Sequence, residues 1–90
     1  MPMSCVTVEF FGIARARAGV PSAQVSADTL GDLLRQLGDK YPGLCESCIQ
    51  GAEFAPGYTA NINGDQFTRD PVRKLQEGDS VLILSLDAGG

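Results

Sequence analysis

The sequence contains no histidine. Imidazole is the commonest general base and the commonest metal ligand, so its absence removes the usual apparatus of hydrolytic and zinc-dependent mechanisms and argues against catalysis by the chain itself. Basic charge is scarce as well. Seven Lys and Arg face eleven Asp and Glu, a net charge of −4, which argues against a sequence-independent grip on nucleic acid or anionic membrane and points to proteins as partners. No window approaches the roughly eighteen apolar residues that mark a membrane-spanning helix, and Met1-Pro2-Met3-Ser4 lacks the basic and apolar regions of a secretory signal. The expected location is therefore the cytoplasm. With 90 residues, 43% apolar and 20% charged, the chain has room for one modest core and not for a second functional domain.

What is present divides into short periodic segments. Val6, Val8 and Phe10 alternate with Thr7, Glu9 and Phe11, the period-two pattern of a strand over Ser4 to Phe11 with one face on a core. After Gly12, the Ala- and Arg-rich run to Gly19 suits one or two helical turns. A second short strand is expected from Ala23 to Ala27, antiparallel to the first. Asp28 is placed to cap a helix, and Leu30, Leu33, Leu34, Leu37 and Tyr41 form its buried stripe, ended by Pro42-Gly43. Residues 44–57 show no clean period and read as a loop in which Ile49 and Phe54 tuck inward.

Tyr58, Ala60 and Ile62 alternate as a third strand, and Asn63-Gly64 is a strong hairpin signal leading to a return strand over Asp65 to Thr68. Asp70-Pro71 is expected to start a short helical turn running through Lys74 and Leu75. The apolar run Val81-Leu82-Ile83-Leu84, within a strand from Ser80 to Leu86, fits a central strand with neighbours on both sides. The order is that of an α+β domain, a mixed sheet of about five strands with one main helix on one face. It suits a ubiquitin-like β-grasp over residues 1–86, with 87–90 as a flexible C-terminal tail.

Several constellations carry candidate chemistry. Cys45-Glu46-Ser47-Cys48 has the spacing of half a zinc site or a redox pair, but the only other cysteine is Cys5, so a four-ligand zinc site lacks its second pair. Reduced thiols in a surface loop are the favoured reading, a reversible disulfide the other, and Cys5 is assigned to packing. Arg15 and Arg17, with Arg69, Arg73 and Lys74, form either a small basic patch or ordinary solvated surface, the latter being favoured. If Val81 and Ile83 face the helix, then Leu82, Leu84 and Phe11, with Leu86, turn to the other face. That face is either a protein-docking patch or is covered by loop 44–57.

The end of the chain is the most informative feature. From Leu86, four extended residues reach roughly 13 Å at about 3.3 Å each. Glycines without Cβ atoms thread a narrow channel and leave the terminal carboxyl carbon accessible. A carboxylate is inert as an acyl donor until activated, and adenylation would activate it. Frayed termini also end in glycine, but here the pair follows closely on an apolar strand able to aim it.

Taken in order, Phe10-Phe11 with the Ala/Arg-rich loop and Gly19, Asp28-Thr29-Leu30, Ile62-Asn63-Gly64, Leu75-x-Glu77-Gly78-Asp79-x-Val81 and Ala88-Gly89-Gly90 resemble the MoaD/ThiS family of ubiquitin-like sulfur carriers. The resemblance implies that an E1-like enzyme adenylates the terminal glycine with ATP and that sulfur replaces AMP to give a thiocarboxylate. A synthase subunit or other acceptor enzyme then takes the sulfur. On this sequence Gly90 is the modified residue, Ala88 and Gly89 thread into the partner, and no cofactor is bound by the chain. The length and the insertion after the helix resemble the molybdopterin-synthase small subunit more than the thiamine carriers. Ser85, Leu86 and Asp87 depart from the Pro-Pro-Val-like run common there, which keeps a cysteine or thiamine-type pathway open. A lysine-conjugated modifier and a plain interaction module are the alternatives.

Overall fold

The alternation read at the start of the chain is realised in strand β1 (Ser4–Phe10), where Val6, Val8 and Phe10 are buried. The computed structural model describes residues 4–86; residues 1–3 and 87–90 lie outside the described residues, and with them the expected tail and its Ala88, Gly89 and Gly90. A six-residue helix α1 (Ile13–Ala18) follows β1 and closes on Gly19, whose φ of 82° places it in the left-handed region that glycine adopts without strain. Strand β2 (Ser22–Ala27) then pairs antiparallel with β1.

Helix α2 (Leu30–Lys40) buries Leu30, Leu33, Leu34 and Leu37. The expected cap is displaced by one residue: Thr29, with extended backbone, accepts the Asp32 amide on Oγ1 at 3.1 Å, filling one of the donors that a helix start leaves open. Asp28 instead offers its carbonyl to the Leu75 amide. The helical turn expected from Asp70-Pro71 through Leu75 is reduced to one turn at Pro71-Val72, closed by the Arg73 amide on the Asp70 carbonyl, for a related reason. The carbonyls of Pro71 and Arg73 accept the Gly31 and Leu30 amides of α2, and Lys74 bridges to Thr29. Segment 70–75 thus completes the start of the main helix.

The stretch read as loop 44–57 is more ordered than its sequence suggests. A 3₁₀ helix (Pro42–Glu46) leads to a small hairpin of β3 (Ile49–Gln50) and β4 (Glu53–Phe54). Leu44, Ile49 and Phe54 turn inward. The hairpin contacts α2, and the 3₁₀ helix contacts α1 and α2. The chain continues through β5 (Tyr58–Ile62), a turn at Asn63-Gly64, β6 (Gln66–Thr68) and β7 (Ser80–Ser85).

The five longer strands form one mixed sheet in the order β2-β1-β7-β5-β6, with β7 parallel to β1 and antiparallel to β5. Register places Val8 beside Val81 and Phe10 beside Ile83, and Ile62 and Ala60 on the other side of the same two residues. These side chains and the leucines of α2 form a single apolar cluster. Tyr41 closes its edge, its ring meeting Phe10 edge-on at 5.9 Å. The architecture is the ubiquitin-like β-grasp.

A polar knot ties the β5–β6 turn to the approach to β7. Asp79 accepts the Asn63 side-chain amide and the Gln76 backbone amide, while Asn63 Oδ1 accepts the Ser80 amide. Cys5, assigned to packing, is exposed instead; the alternation that buries Val6 and Val8 turns it outward. Cys48 is buried rather than in a surface loop.

Two substitutions test this packing. A Cβ on Gly43 would lie 2.3 Å from the Arg17 carbonyl oxygen, so Gly43→Ala should cost about 1–3 kcal/mol by forcing α1 and the 3₁₀ helix apart. Asp79→Ala should cost a similar amount, about 1–3 kcal/mol, by stripping partners from Asn63 and the Gln76 amide. Urea unfolding midpoints at unchanged slope measure both.

Candidate functional site

Period-two alternation gives β7 two apolar faces. Val81 and Ile83 enter the core, while Leu82 and Leu84 point away from it and remain half-buried. Register carries that outer face across the sheet: Leu82 stands between Glu9 and Asn61, Asn61 stands beside Phe67, and Leu84 stands beside Thr59. Phe11, just beyond β1, donates its amide to the Ile83 carbonyl.

Segment 42–54 is not placed over this face, and although Thr59 and Asn61 are buried on it, side chains around them are exposed. The 3₁₀ helix and β3–β4 hairpin of segment 42–54 pack on the helix side of the molecule. Phe11 is left 51% exposed, Leu86 59% and Phe67 67%. A single exposed apolar residue needs no explanation, but a group gathered on one sheet face does. A shallow pocket of about 370 Å³ lies within it, lined by Thr59, Phe67, Leu84, Ser85 and Leu86. Thr59 satisfies its hydroxyl on the Thr68 carbonyl. Two other depressions, one beside Arg15 at the β1–α1 junction and one between β2 and α2, have more polar walls.

The last described residue is tied to the sheet next to this patch. Tyr58 and Ser85 are paired, and the Leu86 amide donates to the Gly57 carbonyl at 2.7 Å. Gly57 has a φ of 90°, a conformation that strains any residue with a Cβ. The chain therefore leaves the sheet from a defined point bordered by Leu84 and Leu86.

All four residues expected on the docking surface, Phe11, Leu82, Leu84 and Leu86, thus have exposed or half-buried side chains at that end of the sheet. Phe67 was missed. It has no alternating apolar neighbour in its own three-residue strand, and only the register opposite Asn61 reveals its face. The basic residues do not assemble into one free patch: Arg17 pairs with Glu46 at 3.1 Å, and Arg69 is engaged with backbone carbonyls. Among the described residues no group of three or more acidic or cysteine side chains is arranged to hold a metal ion. No helix among them is long and apolar enough to cross a membrane.

Sheet order and helix placement define a ubiquitin-like β-grasp scaffold. The ThiS family profile matches residues 8–90, and the chain belongs to the ThiS family. Members of this family are small carrier proteins rather than catalysts. The chain is similar to small archaeal modifier protein 1 from Methanosarcina acetivorans, with 28% identity over 98% of both chains and a TM-score of 0.76. It is also similar to the HVO 2177 protein of Haloferax volcanii, with 29% identity over 98% of this chain and 88% of that one and a TM-score of 0.71. At 20% identity, the Amycolatopsis orientalis BexX/CysO complex matches 94% of this chain and 99% of that one with a TM-score of 0.76, a likeness of fold. No curated protein sequence matches significantly.

Because Phe67 is largely exposed, Phe67→Ser should change stability by no more than about 0.5 kcal/mol. A thermal or urea melt checks this, and a large loss would show that the ring packs within the fold rather than standing free for a partner.

Proposed function

We propose that this protein is a sulfur carrier whose C-terminal Gly90 is adenylated and then converted to a thiocarboxylate. The observation that carries this reading is that the family match runs through Gly90, which puts the Gly-Gly pair inside the matched region. In this reading an E1-like partner enzyme binds ATP, and the Gly90 carboxylate attacks the α-phosphate with departure of pyrophosphate. A sulfur nucleophile from a donor then displaces AMP at the carbonyl carbon. The chain contributes substrate and address, and the partners contribute the chemistry.

The apolar face formed by Phe11, Leu82, Leu84 and Leu86, with Phe67, is the docking surface in this scheme. Its position beside Leu86 lets one docking event bring Ala88, Gly89 and Gly90 to a partner's active site. The sulfur-accepting enzyme takes the favoured destination from chain length and the insertion after α2, namely molybdopterin synthesis, with a cysteine or thiamine-type pathway as the other. These roles place the protein in the cytoplasm.

A second reading is supported by the 28% identity to an archaeal modifier protein over 98% of both chains. In it, the same activated Gly90 is attacked by a lysine amine of a target protein and forms an isopeptide. Both readings share the activation step and differ in the nucleophile that follows.

Incubation with an activating enzyme, ATP and a sulfur donor should raise the intact mass by the difference between one sulfur and one oxygen atom. Removing Gly90 should abolish that gain without loss of fold. Absence of the gain with an enzyme active on its own carrier would refute the sulfur-carrier reading, and higher-mass lysine conjugates in cell extract would select the modifier. Leu84→Asp should raise the apparent KM for the carrier roughly tenfold or more, by placing a charge at the centre of the docking face.

A further inference from the structure

Arg69 follows β6 and is exposed as a residue, yet its guanidinium is committed to one turn of backbone. Nε donates to the Tyr58 carbonyl at 2.8 Å, and Nη2 lies within reach of the Ala55 and Phe54 carbonyls at 3.3 and 3.4 Å. A planar guanidinium supplies several donors in fixed geometry, so it can hold neighbouring carbonyls at set positions where a lysine ammonium provides a single point charge. Water competes for each bond at this exposed site, but the three act on one short segment. That segment, Phe54 to Tyr58, contains Gly57, whose carbonyl accepts the Leu86 amide at 2.7 Å.

The connection has a direction. Arg69 holds the carbonyls on either side of Gly57, and Gly57 holds the residue at which the chain leaves β7. Without the guanidinium, the Gly57 peptide, already in a conformation open chiefly to glycine, is restrained by the Tyr58 amide bond to Ala55 and by the start of β5. The Leu86 amide then has a movable acceptor. Of the docking residues only Leu86 lies in this chain of contacts, which does not pass through Phe11, Leu82, Leu84 or Phe67, so aiming can be lost while most of the docking face is kept.

We propose that Arg69 is a positioning residue for the delivery of Gly90: by fixing the turn that holds Leu86, it sets the direction in which the chain departs the sheet toward a partner's active site. This rests on the carrier reading above, since it assigns Arg69 to the activation step common to sulfur transfer and conjugation. A tail aimed correctly reaches the reacting phosphate in a larger fraction of docked encounters, so the effect falls on turnover rather than on affinity.

Two measurements on the full chain test the proposal. In Arg69→Met, amide hydrogen exchange at Leu86 should accelerate about tenfold, while the Phe10 and Phe11 amides, bonded to Pro21 and Ile83, keep wild-type protection. Arg69→Lys should fall between Arg69→Met and wild type. With an activating enzyme, the Arg69→Met chain should lower kcat for ATP–pyrophosphate exchange about tenfold at unchanged KM. Unchanged exchange at Leu86, uniform acceleration at all three amides in both variants, or faster Leu86 exchange with unaltered kcat would each overturn the positioning role. The wild-type chain separates the two proposals: its failure to support ATP–pyrophosphate exchange overturns the carrier reading and the positioning role together. Normal wild-type exchange with indifferent Arg69 variants overturns the positioning role alone.

Discussion

Strand β7 is bonded on both sides, parallel to β1 and antiparallel to β5, and most of what the molecule does follows from that placement. Over residues 80–83 both edges are bonded, so there the strand's information for recognition lies in its two faces. Val81 and Ile83 commit one face to the core with the α2 leucines. Leu82 and Leu84, half-buried, turn the other away from the core. The same short run of four apolar residues thus anchors the fold and supplies the centre of the proposed docking surface.

The polar contacts keep this central strand in register at both ends. At its start, Asp79, Asn63 and Ser80 lock the entry to β7 against the β5–β6 turn. At its finish, Gly57 receives Leu86 and Arg69 gathers the carbonyls around Gly57. Between them the main chain pairs regularly. Register matters because a slip of one residue would exchange Leu82 and Leu84 for Val81 and Ile83, burying the outer apolar face and exposing the core.

Much of the fold was legible because its signals are periodic. Alternation in Val6, Val8 and Phe10, the leucine stripe of α2 and the apolar run of β7 each report burial on a repeat that sequence displays directly. The errors arose where local chemistry yielded to distant partners. Asp28 is a sound cap in isolation, but its neighbour Thr29 takes the role while segment 70–75 supplies further acceptors to the helix start. Asp70-Pro71 is a sound helix opening, but those same carbonyls are used elsewhere. The 3₁₀ helix and β3–β4 hairpin have no repeat long enough to detect. For the site, Leu82, Leu84 and Phe11 followed from alternation, whereas Phe67 required knowing its register with Asn61, and Arg69 required the three-dimensional path of residues 54–58.

The parallel pairing of β1 with β7 joins the first and last strands of the described chain at the middle of the sheet. Such a contact closes a loop nearly as long as the domain, and its entropy is lost before the core repays it. On a ribosome, β1 and β2 can form their antiparallel ribbon early, but Val8 and Phe10 have no neighbours at Val81 and Ile83 until the final strand has emerged. Folding is therefore completed only after almost the whole domain has been synthesised, and assembly of the core coincides with the arrival of the segment that carries the outward-facing leucines. A chain cut short before β7 would have neither a closed core nor that face, so in the proposed role a truncated product could not act as a folded decoy.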